Sequence, residues 1–137
     1  MQLEQYLPHR PPMLLLDEVV ELGATRSVCR ARIKPDCVFA TAGVIHPAAL
    51  IEFMAQCCAT LMAARTGEPR PGMIVSCREI DFFVDELRVG DQLELVADRL
   101  TGETQLAVFE CKVARAGDVI ATMQLSAAVT DAVGAVP

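Results

Sequence analysis

Between Pro47 and Arg65 nearly every residue is apolar, and the polar exceptions before Arg65 are Glu52, Gln56 and Thr60, each four residues from the next. On a helix that spacing stacks the three side chains along one face. The segment therefore reads as a helix with a single narrow polar stripe. Pro47 suits the first helical position and Arg65 the last turn, while Gly67 and Pro69 supply the stop. A helix this apolar either crosses a membrane or is wrapped by other structure. A Glu–Gln stripe on a segment barely long enough to span argues for wrapping, so no membrane partner is expected.

The rest of the chain supplies the wrapping. Leu7-Pro8-His9-Arg10-Pro11-Pro12 holds three prolines in six residues, so any helix over residues 2–6 must stop before it. A strand is predicted from Met13 through Leu16 to Leu22, turning at Gly23-Ala24 into a second strand. There Ser27, Cys29, Ala31 and Ile33 make a dry face opposite Arg26, Val28, Arg30 and Arg32. Further strands are predicted at about 72–84, 90–100, 104–115 and 118–129. In the third of these Ala107, Phe109, Cys111 and Val113 share the dry face; in the fourth, Val119, Ala121, Met123, Leu125, Ala127 and Val129 do. Thr101-Gly102 and Ala116-Gly117-Asp118 read as hairpin connections, which implies antiparallel neighbours. Two strands, a buried helix and four strands fit an α+β fold, with one antiparallel sheet wrapped around a long central helix. Such a sheet keeps its edges, and pairing one across a two-fold axis gives a dimer with a continuous sheet. The expected organisation is one domain over residues 1–130 and a frayed tail over 131–137.

Composition narrows the partners. Hydrophobic residues are 53% and charged residues 22% of the chain, which excludes intrinsic disorder. There is no Trp and a single Tyr, and the net charge is −6, so a nucleic-acid partner is excluded on both stacking and electrostatic grounds. Six cysteines show no Cys-x-x-Cys spacing and only two histidines accompany them, so no metal site is expected. The cysteines read as small buried thiols in a reducing compartment. Because Met1-Gln-Leu-Glu-Gln-Tyr lacks a signal pattern, a cytoplasmic location is expected.

Three motifs, in order, carry a resemblance: Leu7-Pro8-His9-Arg10 with Pro12-Met13-Leu14-Leu15-Leu16-Asp17, then Ile51-Glu52-Phe53-Met54-Ala55-Gln56, then Val89-Gly90-Asp91-Gln92-Leu93. Together they resemble the β-hydroxyacyl-acyl-carrier-protein dehydratases of the hot-dog superfamily, over about Leu7 to Val129. The similarity is closer to the divergent dehydratase-like proteins of aryl-polyene pigment clusters, which share the Pro-Met-x-Leu-Leu-Asp opening. The resemblance implies a hot-dog fold and an acyl-thioester substrate on a carrier protein or CoA. In that family a histidine of one subunit removes the α-proton, and a helix carboxylate of the other helps the β-hydroxyl leave. Backbone N–H groups at the helix start polarise the thioester carbonyl.

Carried over by position, the carboxylate is Glu52 and the following amide is Gln56. The family histidine, fourteen residues before the carboxylate, falls on Val38, and the next position keeps Phe39. The family glycine that donates an N–H falls on Pro47, which has none, so the oxyanion donor must shift to Ala48 or Gly43. Burial on an apolar helix would raise the pKa of Glu52, as a general acid requires; a structural carboxylate bonded to backbone or to Gln56 is the alternative. His46, six residues before Glu52, reads as a helix cap or as a relocated base. His9 is expected to tie its turn to the sheet, with a catalytic role as the lesser alternative, and Gln56 to satisfy backbone groups or hold Glu52. Arg65, Arg70 and Arg78 read as solvated charges or as a patch for an acidic carrier protein.

Three functions follow. A dehydratase-like enzyme would use Glu52 as acid and His46 as base, with Phe39, Gly43, Pro47, Ala48 and Gln56 around the substrate. It would need no cofactor, because the thioester already acidifies the α-carbon. A thioester hydrolase would use Glu52 alone to activate water. A non-catalytic acyl-binding subunit would pair with an active hot-dog protein, giving a heterodimer in place of a homodimer.

Overall fold

The computed structural model describes residues 2–67, 72–102 and 106–129; the tail over 131–137 and Arg70 lie outside them. A 3-10 turn (Leu3–Gln5) leads through the proline-rich segment to β1 (Glu18–Leu22) and β2 (Arg26–Arg32). A short strand β3 (Val44–Ile45) and a 3-10 turn (Pro47–Ala49) precede the long helix α1 (Leu50–Thr66). Then come β4 (Gly72–Phe82), β5 (Leu87–Arg88), β6 (Gln92–Gly102), β7 (Leu106–Arg115) and β8 (Asp118–Val129). Six strands form one sheet in the order β1-β2-β6-β7-β8-β4, every neighbouring pair antiparallel. The small β3/β5 pair, not foreseen in the sequence, braces the approach to α1.

Period-two patterning decides which face of the sheet is buried. Ser27, Cys29 and Ala31 on β2, Leu93, Leu95 and Ala97 on β6, and Ala107, Phe109, Cys111 and Val113 on β7 all turn inward. So do Ala121, Met123, Leu125 and Ala127 on β8. Against them lie Leu50, Phe53, Met54, Cys57, Cys58 and Leu61 of α1, forming one continuous core. By length and composition Pro47–Arg65 could cross a bilayer, yet 61% of it is buried within this fold, chiefly against the sheet. Gly67 closes the helix with φ +80°, its N–H bonding to Ala63 O at 2.8 Å, a conformation only glycine adopts at no steric cost.

The polar stripe is satisfied in full. Thr60 and Ser27 are both buried and share a 2.6 Å hydroxyl hydrogen bond, while the Thr60 hydroxyl also lies 2.6 Å from Cys57 O. The six cysteines do not all pack as buried thiols: Cys37 and Cys77 are partly exposed. Cys58 is fully enclosed, and burial pushes its pKa well up, which keeps it an inert thiol 3.3 Å from that of Cys111.

Several boundaries differ from the sequence reading for local reasons. Met13–Leu16 is not strand: Met13 O and Leu15 N bond to the Gln56 side chain, and the Met13 and Leu14 N–H groups bond to Arg10 O, instead of to a ladder. Pro47–Ala49 is 3-10, with the α-helical bonds starting at Leu50. Thr101 and Gly102 continue β6, where Gly102 at φ +97° lets the backbone of Leu106 and Ala107 pass close by. A register shift at Val113/Ala114 lets Ile120 pack inward in place of the exposed Val119.

Replacing Thr60 with Val leaves the Ser27 hydroxyl only the Cys29 sulfur at 3.5 Å. We expect a loss of about 1–3 kcal/mol in urea unfolding. The Ser27→Ala/Thr60→Val double variant should lose less than the sum of the two single changes.

Candidate active site

Glu52 sits in the first turn of α1 with its side chain 29% exposed, at the edge of an apolar cavity of about 290 Å³. The cavity runs along the helix past Ala55, Ala59 and Met62, and its facing wall is Met73 and Ile74 of β4 with Leu125 and Ala127 of β8. Alanines at positions 55 and 59 are what open the groove on this side of the helix. His9, Glu52 and Gln56 are its polar members.

Gln56 is buried and uses its whole amide. Its Oε1 accepts the Leu15 N–H at 3.0 Å, and its Nε2 donates to Met13 O at 2.8 Å and to Glu52 Oε1 at 3.0 Å. It satisfies backbone groups and holds Glu52 at once, so both of its expected roles are filled. The segment it holds carries His9, whose Nε2 lies 3.5 Å from Glu52 Oε1.

These neighbours invert the expected electrostatics of Glu52. Burial pushes its pKa up, but hydrogen bonds from His9 and Gln56, with the electrostatic attraction of His9, outweigh burial. The carboxyl is held below its ordinary 4.5, and Glu52 is a carboxylate at neutral pH. The raised pKa expected from burial alone is thereby corrected, because that reading counted no donors.

The other sequence candidates lie elsewhere. His46 is exposed at the helix start, where its Nδ1 accepts the Ala48 N–H at 3.0 Å; this is the capping arrangement, and His46 does not line the Glu52 cavity. The same bond commits the Ala48 N–H, so Ala48 does not offer it to a thioester oxygen in this conformation. Pro47 is buried beneath the cap. Gly43 occupies a Thr41–Val44 turn at φ +78°, and Phe39 and Val38 stand exposed on the preceding loop. Arg65 and Arg78 sit on different elements, α1 and β4. His9, expected first as a structural residue and only secondarily as a catalytic one, is the histidine that meets Glu52. Its only sequence signal was membership of the proline-rich motif.

A long central helix bearing a carboxylate, with an apolar groove between it and an antiparallel sheet wrapped around it, is the arrangement of a hot-dog protein. The chain belongs to the ApeP-like (ApeP dehydratase) family, whose model matches residues 1–136. It is 30% identical over 132 residues to the 3-hydroxyacyl-[acyl-carrier-protein] dehydratase FabZ of Acinetobacter baylyi, covering 90% of this chain and 89% of that one. Among solved structures it is similar to the dehydratase heterocomplex ApeI:P from Xenorhabdus doucetiae, with a TM-score of 0.87 at 23% identity, over 94% of this chain and 91% of the other. The fold also matches a hypothetical thioesterase from Streptococcus pneumoniae solved with coenzyme A. That match has a TM-score of 0.61 at 12% identity, over 82% of this chain and 84% of that one.

The lowered pKa has a sign that can be checked. A carboxyl that titrates lower when folded than when unfolded stabilises fully above its ordinary 4.5 and loses that contribution as pH falls through the folded value. Between about pH 6 and pH 3 the urea midpoint of a Glu52→Gln variant should therefore fall less steeply than that of the wild type. Parallel curves would contradict the assignment.

Proposed function

We propose that this chain acts on acyl thioesters, dehydrating a 3-hydroxyacyl group carried on acyl carrier protein or CoA, with Glu52 as the proton-handling side chain. The observation that carries this reading is the placement of an ionised, hydrogen-bonded carboxylate at the edge of an otherwise apolar cavity. An acyl tail fits the apolar length, and the polar end brings the α- and β-carbons of the thioester beside Glu52. Elimination moves a proton off C2, breaks the C3–O bond, forms the C2–C3 double bond and releases water. The thioester carbonyl supplies the acidity at C2, so the step calls for no redox or metal chemistry.

The similarity to a FabZ dehydratase supports this substrate class. A second reading, thioester hydrolysis, is favoured by one observation: a carboxylate kept ionised is also suited to activating water. Release of free thiol, against formation of a conjugated enoyl thioester, separates the two. A third reading, a subunit that works with another hot-dog protein, draws on the exposed Val38 at the family's histidine position and on the likeness to a heterocomplex.

The edge of the sheet suits a second subunit, of this chain or of a related one. β4 ends the sheet and carries Met73, Ile74, Val75 and Ile80 on exposed positions, with Val75 57% exposed and the adjoining Phe83 61% exposed. An apolar, unpaired edge of this kind calls for pairing. We place the dimer contact there, extending the sheet across a two-fold axis.

Glu52→Gln keeps the size and the hydrogen bond from Gln56 but removes the titratable group. Turnover of a 3-hydroxyacyl thioester, followed by the ultraviolet absorbance of the enoyl product, should fall at least about 100-fold. Unchanged turnover would remove Glu52 from the reaction. Val75→Glu should shift the sedimenting species toward the single-chain mass; an unchanged mass would place the contact elsewhere.

A further inference from the structure

We infer that the chain supplies its own proton partner for Glu52, and that this partner is His9: the two side chains form a one-proton pair facing the acyl cavity. The inference rests on the thioester reading above and assigns the second half of its chemistry. Three observations support it. His9 and Glu52 line the same cavity with Nε2 and Oε1 3.5 Å apart, a contact that can tighten when substrate excludes water. His9 Nδ1 is buried without a hydrogen-bond partner among the described residues, whereas a histidine serving only to pin its turn would bond through that nitrogen. The other histidine of the sequence, His46, is turned onto the Ala48 N–H.

The approach of His9 to Glu52 is built in. The Arg10 guanidinium bonds Leu7 O at 2.9 Å and His9 O at 2.7 Å, which ties the turn to itself. A few residues on, Gln56 holds Met13 O and Leu15 N, which ties the turn to α1 one helical turn beyond Glu52. Among the described residues lining the cavity, His9 and Glu52 are the titratable ones. β4 and β8 contribute the apolar Met73, Ile74, Leu125 and Ala127.

In the working form the pair holds one proton, with Glu52 as carboxylate and His9 as imidazolium. Glu52 takes the proton from C2 as the C2–C3 double bond forms. His9 gives its proton to the C3 hydroxyl as the C3–O bond breaks, and water leaves. The proton on Glu52 then crosses to His9, and the starting state returns without any outside acid or base. Both roles sit within one subunit, on residues 43 positions apart.

The test compares His9→Ala and His9→Gln with the wild type and with Glu52→Gln. His9→Gln keeps an amide donor for Glu52 but has no proton to transfer. We expect kcat to fall at least about 100-fold in both His9 variants, with KM within about 2-fold, and the bell-shaped pH profile of the wild type to lose its basic limb. Wild-type kcat and pH profile in His9→Gln would overturn proton transfer by His9. If Glu52→Gln is inactive while both His9 variants turn over normally, this inference fails and the thioester reading stands. If the wild type itself does not dehydrate the thioester, that reading fails and the pair is tested directly. Carbon-13 spectra of glutamate-labelled protein should then show Glu52 titrating at higher pH in His9→Ala than in the wild type, and an unmoved titration would overturn the pairing.

Discussion

One side-chain amide joins the parts of this molecule that matter for its chemistry. Gln56, in the interior of α1, bonds at once to the backbone of Met13 and Leu15 and to the carboxylate one turn earlier on the helix. A buried primary amide has few hydrogen-bonding positions, and leaving them empty costs more than filling them gains. The N-terminal segment is therefore held on the helix as an irregular strap, not as an extension of β1. That strap carries the imidazole beside Glu52. Without the amide, Met13 O and Leu15 N would lose their bonds to the helix from which the site opens.

The stripe to which Gln56 belongs shows how an almost wholly apolar helix tolerates polar groups. Thr60 is matched to Ser27 of the sheet, Gln56 to the strap, and Glu52 to His9 and the cavity. The three positions grade from fully enclosed to partly open along the helix, and the ionisable group stands at the open end. Desolvation alone would raise the pKa of Glu52, but two donors reverse the sign. The carboxylate is thus kept charged next to apolar walls.

Membership of the ApeP-like dehydratase family agrees with this arrangement, and the departures from the dehydratase motif agree with one another. By the resemblance of the motifs, Val38 falls where the dehydratases carry a histidine and Pro47 where they carry a glycine, and the next N–H, that of Ala48, is bonded to His46.

Much of the fold could be read in advance, because alternation in a strand and a four-residue stripe in a helix are local consequences of backbone geometry. The inward faces of β2, β7 and most of β8, the long buried helix and the glycine stop at its end follow from neighbours in sequence alone. The small β3/β5 pair, the inward turn of Ile120 and the loss of strand at Met13–Leu16 did not, since each depends on a partner brought in from elsewhere in the chain. The sequence by itself determined that one carboxylate would lie on an apolar helix under a sheet. Only the tertiary structure decided which histidine meets it. His46 is close along the chain, yet its ring is turned onto the adjacent N–H of Ala48; His9 is distant along the chain and is brought to Glu52 through hydrogen bonds spanning more than forty residues.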